Sequence, residues 1–180
     1  MNQPASPPPG PQALDAQKYN QMMAVAALQR RARVGANNFF WIAALSVINS
    51  VISIFNGGLY FVVGLGVTLF VDAVAAGLAA NMPEIATVGH VLGLLVSLAI
   101  SGVFALFGYL AGKGQRWAFL AGMVAYGLDA VLMAAFKEWL GLLFHLYFMW
   151  GLFNGMRALD QLRKLAPPRP TDFPQSIGTA

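Results

Sequence analysis

The sequence contains no cysteine among its 180 residues. Disulfide bonds, thiolate nucleophiles and cysteine-based metal sites are therefore excluded. The His-Glu-x-x-His zinc motif, the Gly-x-x-x-x-Gly-Lys-Ser/Thr phosphate loop and the Gly-x-Ser-x-Gly nucleophile elbow are also absent. The two histidines are predicted to lie on different helices at different depths, which argues against a metal pair. We therefore expect no enzymatic activity, no metal and no cofactor.

Charged residues are also scarce. Only 10% of the residues are charged, 58% are hydrophobic and the mean hydropathy is +0.62, whereas a soluble domain carries about 25% charged residues. So few charges cannot supply a water-facing surface, but lipid solvates apolar side chains directly. The composition predicts an all-α fold, a polytopic integral membrane helix bundle.

The net charge of +4 does not indicate nucleic-acid binding. The basic residues sit at the ends of apolar runs, a placement that orients membrane helices. No secretory signal is expected, because the first apolar run starts only near Phe39. These features fit a bacterial inner membrane. The expected partners are the lipid bilayer and either a second copy of the chain or another membrane protein.

Composition divides the chain into four parts. Residues 1–12 are expected to be a disordered Pro-rich tail, and 13–37 a basic amphipathic juxtamembrane helix on an anionic leaflet. Residues 38–157 are assigned to the transmembrane bundle, and 158–180 to a second basic, Pro-rich tail. The bundle contains five apolar stretches, at 39–55, 59–80, 88–111, 117–136 and 140–156.

The eleven lysines and arginines discriminate between possible topologies. Five true spans would leave no more than six of them inside, without the bias expected of cytoplasmic loops. Four spans, with 59–80 re-entrant or in the interface, leave only Lys137 outside. A rival model lays 140–156 in the membrane plane and places nine of the eleven inside. We prefer the first four-span model, with both termini cytoplasmic, because the charge rule is most reliable at the short 113–116 hairpin.

Polar side chains recur at one depth of the predicted bundle. Most lie 12 or 13 residues from its cytoplasmic face, which is about 18–20 Å into a hydrocarbon core about 30 Å thick. An ionisable group there costs at least about 2.5 kcal/mol and normally faces protein or trapped water. This polar layer comprises Asn49, Ser50, Ser97, Ser101, Asp129 and His145. A further acidic residue, Asp72, lies in 59–80, so its depth depends on the path of that stretch.

Asp129 is the residue on which the functional hypotheses differ. It either locks the bundle through hydrogen bonds or exchanges protons as part of a relay. In both cases we expect it to bond Ser97 or Ser101, with His145 within about 10 Å. Two glycine-containing segments, 63–68 and 126–129, look like functional signatures but point to no named activity.

Small residues mark the expected helix contacts, because lipid gives helices no hydrophobic reason to associate. They serve either packing within the chain or contact with a second copy. The candidate packing glycines are Gly108, Gly112, Gly122, Gly151 and Gly155.

The favoured functional hypothesis is a non-enzymatic membrane accessory or assembly protein that acts through helix packing and cytoplasmic tails. The alternative is a small proton-coupled transporter or channel, with Asp129 and His145 as its relay.

Overall fold

The computed structural model describes residues 11–54, 64–82, 84 and 86–165. This part of the chain forms five helices and contains no strand, so the predicted all-α fold is confirmed there. The helices are α1 (Pro11–Ile54), α2 (Gly66–Asn81), α3 (Ala86–Gly112), α4 (Arg116–Ala135) and α5 (Trp139–Leu165). The predicted tails lie outside the described residues except at 11–12 and 158–165, which are helical.

Helix α1 is continuous over 44 residues. It joins 13–37, predicted as a separate juxtamembrane helix, to the first apolar stretch without a break. At 1.5 Å per residue it is about 66 Å long, roughly twice the thickness of a hydrocarbon core. No proline follows Pro11 in this helix, so nothing in the sequence interrupts the backbone hydrogen bonds where polarity changes near Phe39.

Helices α1 and α5 cross in antiparallel directions through glycine contacts. A Cβ added to Gly35 would lie 2.5 Å from the Cα of Gly155, and one added to Gly151 would clash with the side chain of Asn38. As the number rises along α1, the contacting residue number falls along α5. The two backbones can touch here because neither helix has a side chain at the crossing point.

The α3–α4 hairpin lies at the same end of the bundle as the last turns of α5. Arg116 Nε forms an ion pair with Asp160 Oδ1 at 2.8 Å, and Arg163 donates to the carbonyl of Gly114 at 2.7 Å. Basic residues collect at this end. Of the eleven lysines and arginines, Arg169 lies outside the described residues, and of the other ten only Lys137 lies at the opposite end.

An aromatic cluster near the basic end packs α1 against α3 and α4. The ring of Phe39, which is fully buried, lies 6.4 Å from that of Phe104, 6.2 Å from Phe107 and 6.0 Å from Phe119. A Cβ on Gly122 would clash with the same ring. The glycine therefore makes the space that a large side chain of the neighbouring helix fills.

Helix α2 begins inside the bundle. The N–H of Leu65 donates to Ser46 Oγ at 2.8 Å, although Ser46 lies two turns before the end of α1. From there α2 runs antiparallel to α3, since Asp72 contacts Ser97 whereas Ala75 lies nearer to Gly93. The first residues of the predicted stretch 59–80, up to residue 63, lie outside the described residues.

In the part of the chain that the structure describes, three helical segments are long and apolar enough to cross a membrane. They are Leu14–Ile52, Thr87–Gly112 and Arg116–Ala135. Helix α2 has only 16 residues, fewer than the about 17–20 needed to span a bilayer. Helix α5 has 27 residues and is long enough to span. It is not among the three segments, because His145 and Asn154 lower the mean hydropathy of its apolar part.

The predicted packing glycines do not all make contacts. Gly108 and Gly122 lie against aromatic rings of α1, and Gly151 and Gly155 lie against α1 at the crossing. A Cβ added to Gly112 would meet nothing within 4 Å in the described residues, so packing of Gly112 within the chain is not seen there and its contact with a second copy stays a prediction.

Replacing Gly155 with Ala tests the α1–α5 crossing. The new methyl group would lie 2.6 Å from the Cα of Gly35, and overpacking of this kind costs about 1–3 kcal/mol. We expect a lower midpoint of thermal unfolding in detergent. Gly102→Ala is the matched control, because a Cβ at Gly102 meets nothing within 4 Å. Equal midpoints for the two variants would contradict the close crossing.

Candidate functional site

The first turn of α2 has no cap of its own. Leu65 occupies the N-cap position and makes no side-chain capping bond, whereas Ser, Thr, Asp or Asn is normally preferred there. The first N–H groups of any helix lack partners within the helix. Inside an apolar bundle water is not freely available to bind them, so other parts of the chain must supply acceptors.

Asp129, on α4, supplies two of these acceptors. Gly66 N donates to Asp129 Oδ2 at 2.7 Å, and Val67 N donates to Oδ1 at 2.8 Å. Ser46 Oγ accepts the N–H of Leu65 and donates its own proton to the carbonyl of Ile42. A carboxylate at this position also complements the positive end of the helix dipole. The cap of α2 is thus built from α1 and α4.

His145, on α5, completes the contacts of Asp129. Its Nε2 lies 2.8 Å from Asp129 Oδ2, and its Nδ1 lies 2.8 Å from the carbonyl of Gly141. Since a carbonyl can only accept, Nδ1 must carry a hydrogen. A second proton must lie between Nε2 and Oδ2 for those atoms to bond. The pair is therefore either imidazolium with carboxylate or imidazole with carboxylic acid, and its net charge is zero in both forms.

Tyr126 covers one face of this pair. Its ring stacks on the imidazole of His145 with centroids 4.3 Å apart and an interplanar angle of 16°. Both side chains are buried. Among the described residues, the Tyr126 hydroxyl has no hydrogen-bond partner. The ring orients the imidazole, and together with the Gly141 carbonyl it keeps Nε2 directed at Asp129.

Glycines allow α2 to approach the cap this closely. A Cβ on Gly66 would lie 2.9 Å from Met133 Cε of α4. Gly64 has φ +154°, a backbone angle that residues with a side chain rarely adopt. A Cβ added to Gly64 would lie 3.0 Å from Asn49 Nδ2. The two glycine-containing segments noted in the sequence therefore meet here, since Asp129 from 126–129 caps the helix that begins in 63–68.

A second buried carboxylate lies farther along α2. Asp72 Oδ2 accepts from Ser50 Oγ at 2.7 Å, and Oδ1 accepts from Ser97 Oγ at 3.1 Å. Six residues separate Asp72 from Gly66, or about 9 Å along the helix. Both serines and the carboxylate are buried. This cluster ties the middle of α2 to α1 and α3 in the way that Asp129 ties its beginning to α4 and α5.

The predicted polar layer thus separates into two sites. Asp129 and His145 form the first, whereas Ser50 and Ser97 bind Asp72 in the second. The expected bond from Asp129 to Ser97 or Ser101 is wrong, because α2 brings its own carboxylate to Ser97. Ser101 Oγ is buried without a hydrogen-bond partner in the described residues. Asn49 is buried close to Gly64.

Four residues of the site were given no role from the sequence, although three of them lie in the segments 63–68 and 126–129. They are Ser46, Tyr126 and the backbone donors of Gly66 and Val67. A signal did exist, because Gly64, Leu65 and Gly66 start a helix without any capping side chain. An uncapped helix start in an apolar segment calls for a distant acceptor, and Asp129 is one of few available.

The described residues include no group of three or more histidine and acidic side chains that could hold a metal ion. No protein-family model matches the chain, and neither does any curated protein or solved structure. A functional assignment therefore rests on the residues and their geometry.

Substitutions at Asp129 test the cap. Leucine would leave the N–H groups of Gly66 and Val67 and the Nε2 of His145 without their partner, at about 1–3 kcal/mol for each buried group. Asparagine can still accept from Val67 and donate to neutral His145, so only one bond is lost. We expect thermal stability in detergent to fall slightly for Asp129→Asn and severely for Asp129→Leu. The reverse order would contradict the capping role.

Proposed function

We propose that this chain is a non-enzymatic integral membrane accessory or assembly protein. The observation that carries the proposal is that the hydrogen-bonding atoms of the Asp129–His145 pair are all occupied within the chain. Each oxygen of Asp129 and each ring nitrogen of His145 already binds a group within the chain. Residues so occupied hold a helix in place and are not poised to meet a substrate. The pair therefore serves to fix the position of α2 among the other helices.

The proposed topology has four spans, α1, α3, α4 and α5, with α2 as a re-entrant half-helix. Three features support it. Helix α2 starts beside Ser46 in mid-bundle, α5 packs antiparallel to α1, and basic residues collect at the end that holds the 113–116 hairpin. By the positive-inside rule that end, with both termini, lies in the cytoplasm. A bacterial inner membrane is the proposed location.

Single cysteines test this topology cleanly, because the native chain has none. Gln12→Cys, Gln115→Cys and Leu165→Cys replace exposed residues at the basic end, and Glu138→Cys replaces one at the opposite end. In intact cells we expect an impermeant thiol reagent to label only Glu138→Cys. All four should react after the cells are opened. Labelling of Gln115→Cys in intact cells would refute the proposed orientation.

The second candidate, a proton-coupled transporter or channel, is favoured by one observation. Asp72 is buried with two serine hydroxyls, and within the described residues no cationic group pairs with it. A buried carboxylate of this kind within a membrane is a candidate functional residue. Asp129 is less suited to a relay, because loss of its shared proton would direct the lone pairs of Nε2 and Oδ2 at each other. In this candidate Asp72 would exchange the proton.

Proton flux into proteoliposomes separates the two candidates. Purified protein is reconstituted with a pH-sensitive dye inside, and a potassium diffusion potential drives proton entry. For an accessory protein we expect the same dye signal as in protein-free liposomes. Asp72→Asn, which keeps both serine bonds possible, should then change nothing.

A proton flux that is present in the native chain and abolished by Asp72→Asn would refute the accessory function and support transport. A matched variant, Asp160→Asn, alters a half-buried carboxylate at the basic end and controls for changes in reconstitution. The accessory function has its own requirement. Chemical crosslinking in membranes should give one defined adduct, with a second copy or another membrane protein, that persists in Asp129→Asn and is lost in Asp129→Leu.

A further inference from the structure

A groove of about 630 Å³ opens between α1 and α5 at the basic end of the bundle. Its volume falls in the range of about 300–1,000 Å³ typical of sites for small molecules. The walls are mostly apolar, and Met23, Val34 and Asn154 line them beside four small residues. Ala26, Ala27, Gly35 and Gly151 line it, together with Arg30 and Arg31.

The groove follows from the glycine crossing. Gly35 and Gly155 bring the two backbones into contact, and α1 then continues beyond the crossing for about 24 residues toward Pro11. On the face of α1 above the crossing, alanines at 26 and 27 leave the space beside the helix unfilled. Small residues thus create the cavity that larger ones would close.

The two arginines of the groove have no partner in the described residues. Only two side-chain pairs there satisfy the distance for an ion pair, Arg116 with Asp160 and His145 with Asp129. Arg30 and Arg31 are exposed. The groove therefore presents two free guanidinium groups beside an apolar wall, and guanidinium groups bind phosphate in bidentate fashion.

The height of these arginines matches that of a lipid headgroup. Leu159 of α5, one turn beyond the crossing at Gly155, lies 3.6 Å from the position of a Cβ on Gly114. The 113–116 hairpin, where the apolar segments of α3 and α4 end, is therefore level with Leu159 and about 6 Å outside the crossing. On α1, Arg30 and Arg31 lie five and four residues outside Gly35, or about 6–8 Å, and so reach the level of the hairpin. Gly151 lies on the inner side, toward the apolar part of the bundle.

We propose that this groove binds one anionic phospholipid. Arg30 and Arg31 bind its phosphate, and an acyl chain lies along Gly35 and Gly151. The charge of the groove selects this occupant over a second copy of the chain. A two-fold contact between two such faces would place four arginines together, which is unfavourable without counter-ions. The site is independent of whether the protein assembles partners or moves protons.

The test measures lipid binding to the full-length purified protein. Dioleoyl-phosphatidylglycerol and dioleoyl-phosphatidylcholine are titrated separately into the detergent-solubilised protein, and bound lipid is counted by native mass spectrometry. We expect one phosphatidylglycerol per chain to be held preferentially. In Arg30→Ala/Arg31→Ala its affinity should fall by about 10- to 30-fold, since each basic residue near an anionic lipid contributes roughly fivefold.

Two further variants separate a groove from general surface charge. Arg33→Ala removes another exposed arginine of the same helix that does not line the groove, so binding should persist. Ala27→Trp fills the groove but keeps both arginines, so the preferential lipid should be lost. Ala27 is exposed, and the substitution therefore leaves the helix contacts of the bundle intact. Each variant is compared by size-exclusion chromatography before titration.

Equal losses in Arg33→Ala and in the double variant would overturn the proposal in favour of general charge attraction. Undiminished binding in Ala27→Trp would overturn it as well. Dimers that form in the native chain and disappear in Ala27→Trp, without preferential phosphatidylglycerol, would assign the groove to a second copy. If the double variant does not fold, Ala27→Trp alone decides between these outcomes.

Discussion

The two hydrogen bonds that Asp129 accepts from the start of α2 are the contacts on which this architecture depends. A helix that begins inside an apolar bundle has backbone donors with no water to satisfy them. Asp129 satisfies two, and Ser46 satisfies a third. Because these acceptors lie on α4 and α1, the start of α2 can occupy only one position between them. The path of α2 toward α3, and the contact of Asp72 with Ser97, follow from that position.

The two buried carboxylates are balanced in different ways. Asp129 shares a proton with His145 and also accepts backbone N–H groups, so its charge is compensated from two sides. Asp72 is held by two serine hydroxyls, which stabilise a negative charge less than an opposite charge does. The first arrangement suits a permanent structural bond. The second leaves room for a change of protonation, which is why the two candidate functions differ at Asp72.

Apolar and polar contacts between the helices lie in different parts of the bundle. Toward the basic end, the ring of Phe39 packs among other phenylalanines and above glycines. Toward the middle, the contacts are the hydrogen bonds of the α2 cap. Lipid competes equally well for apolar side chains, so small residues and internal hydrogen bonds hold membrane helices together. The crossing at Gly35 and Gly155 shows the cost of such close approach, since it leaves the open groove beside Arg30 and Arg31.

Composition and the spacing of charges were sufficient for the outline of this protein. The scarcity of charge and the apolar stretches led to an all-helical chain, and the boundaries near Lys113 and Arg116 fall where the hairpin lies. The depth count also brought Asp129 and His145 to one level, and they are in contact. Each of these features depends on residues within one helix or at its ends, so it can be predicted from the sequence.

The partners of the polar residues depended on the tertiary structure. Ser97 has two acidic residues at reachable depth, and only the position of α2 selects Asp72 over Asp129. Similarly, the uncapped start of α2 does not show which residue caps it, because the acceptor of the Gly66 N–H lies 63 residues farther along the sequence. By itself the sequence determined which segments are helical and where their charged ends lie, since both follow from side-chain chemistry along one chain. Only the tertiary structure decided which carboxylate meets which donor, because that pairing depends on how helices distant in sequence pack together.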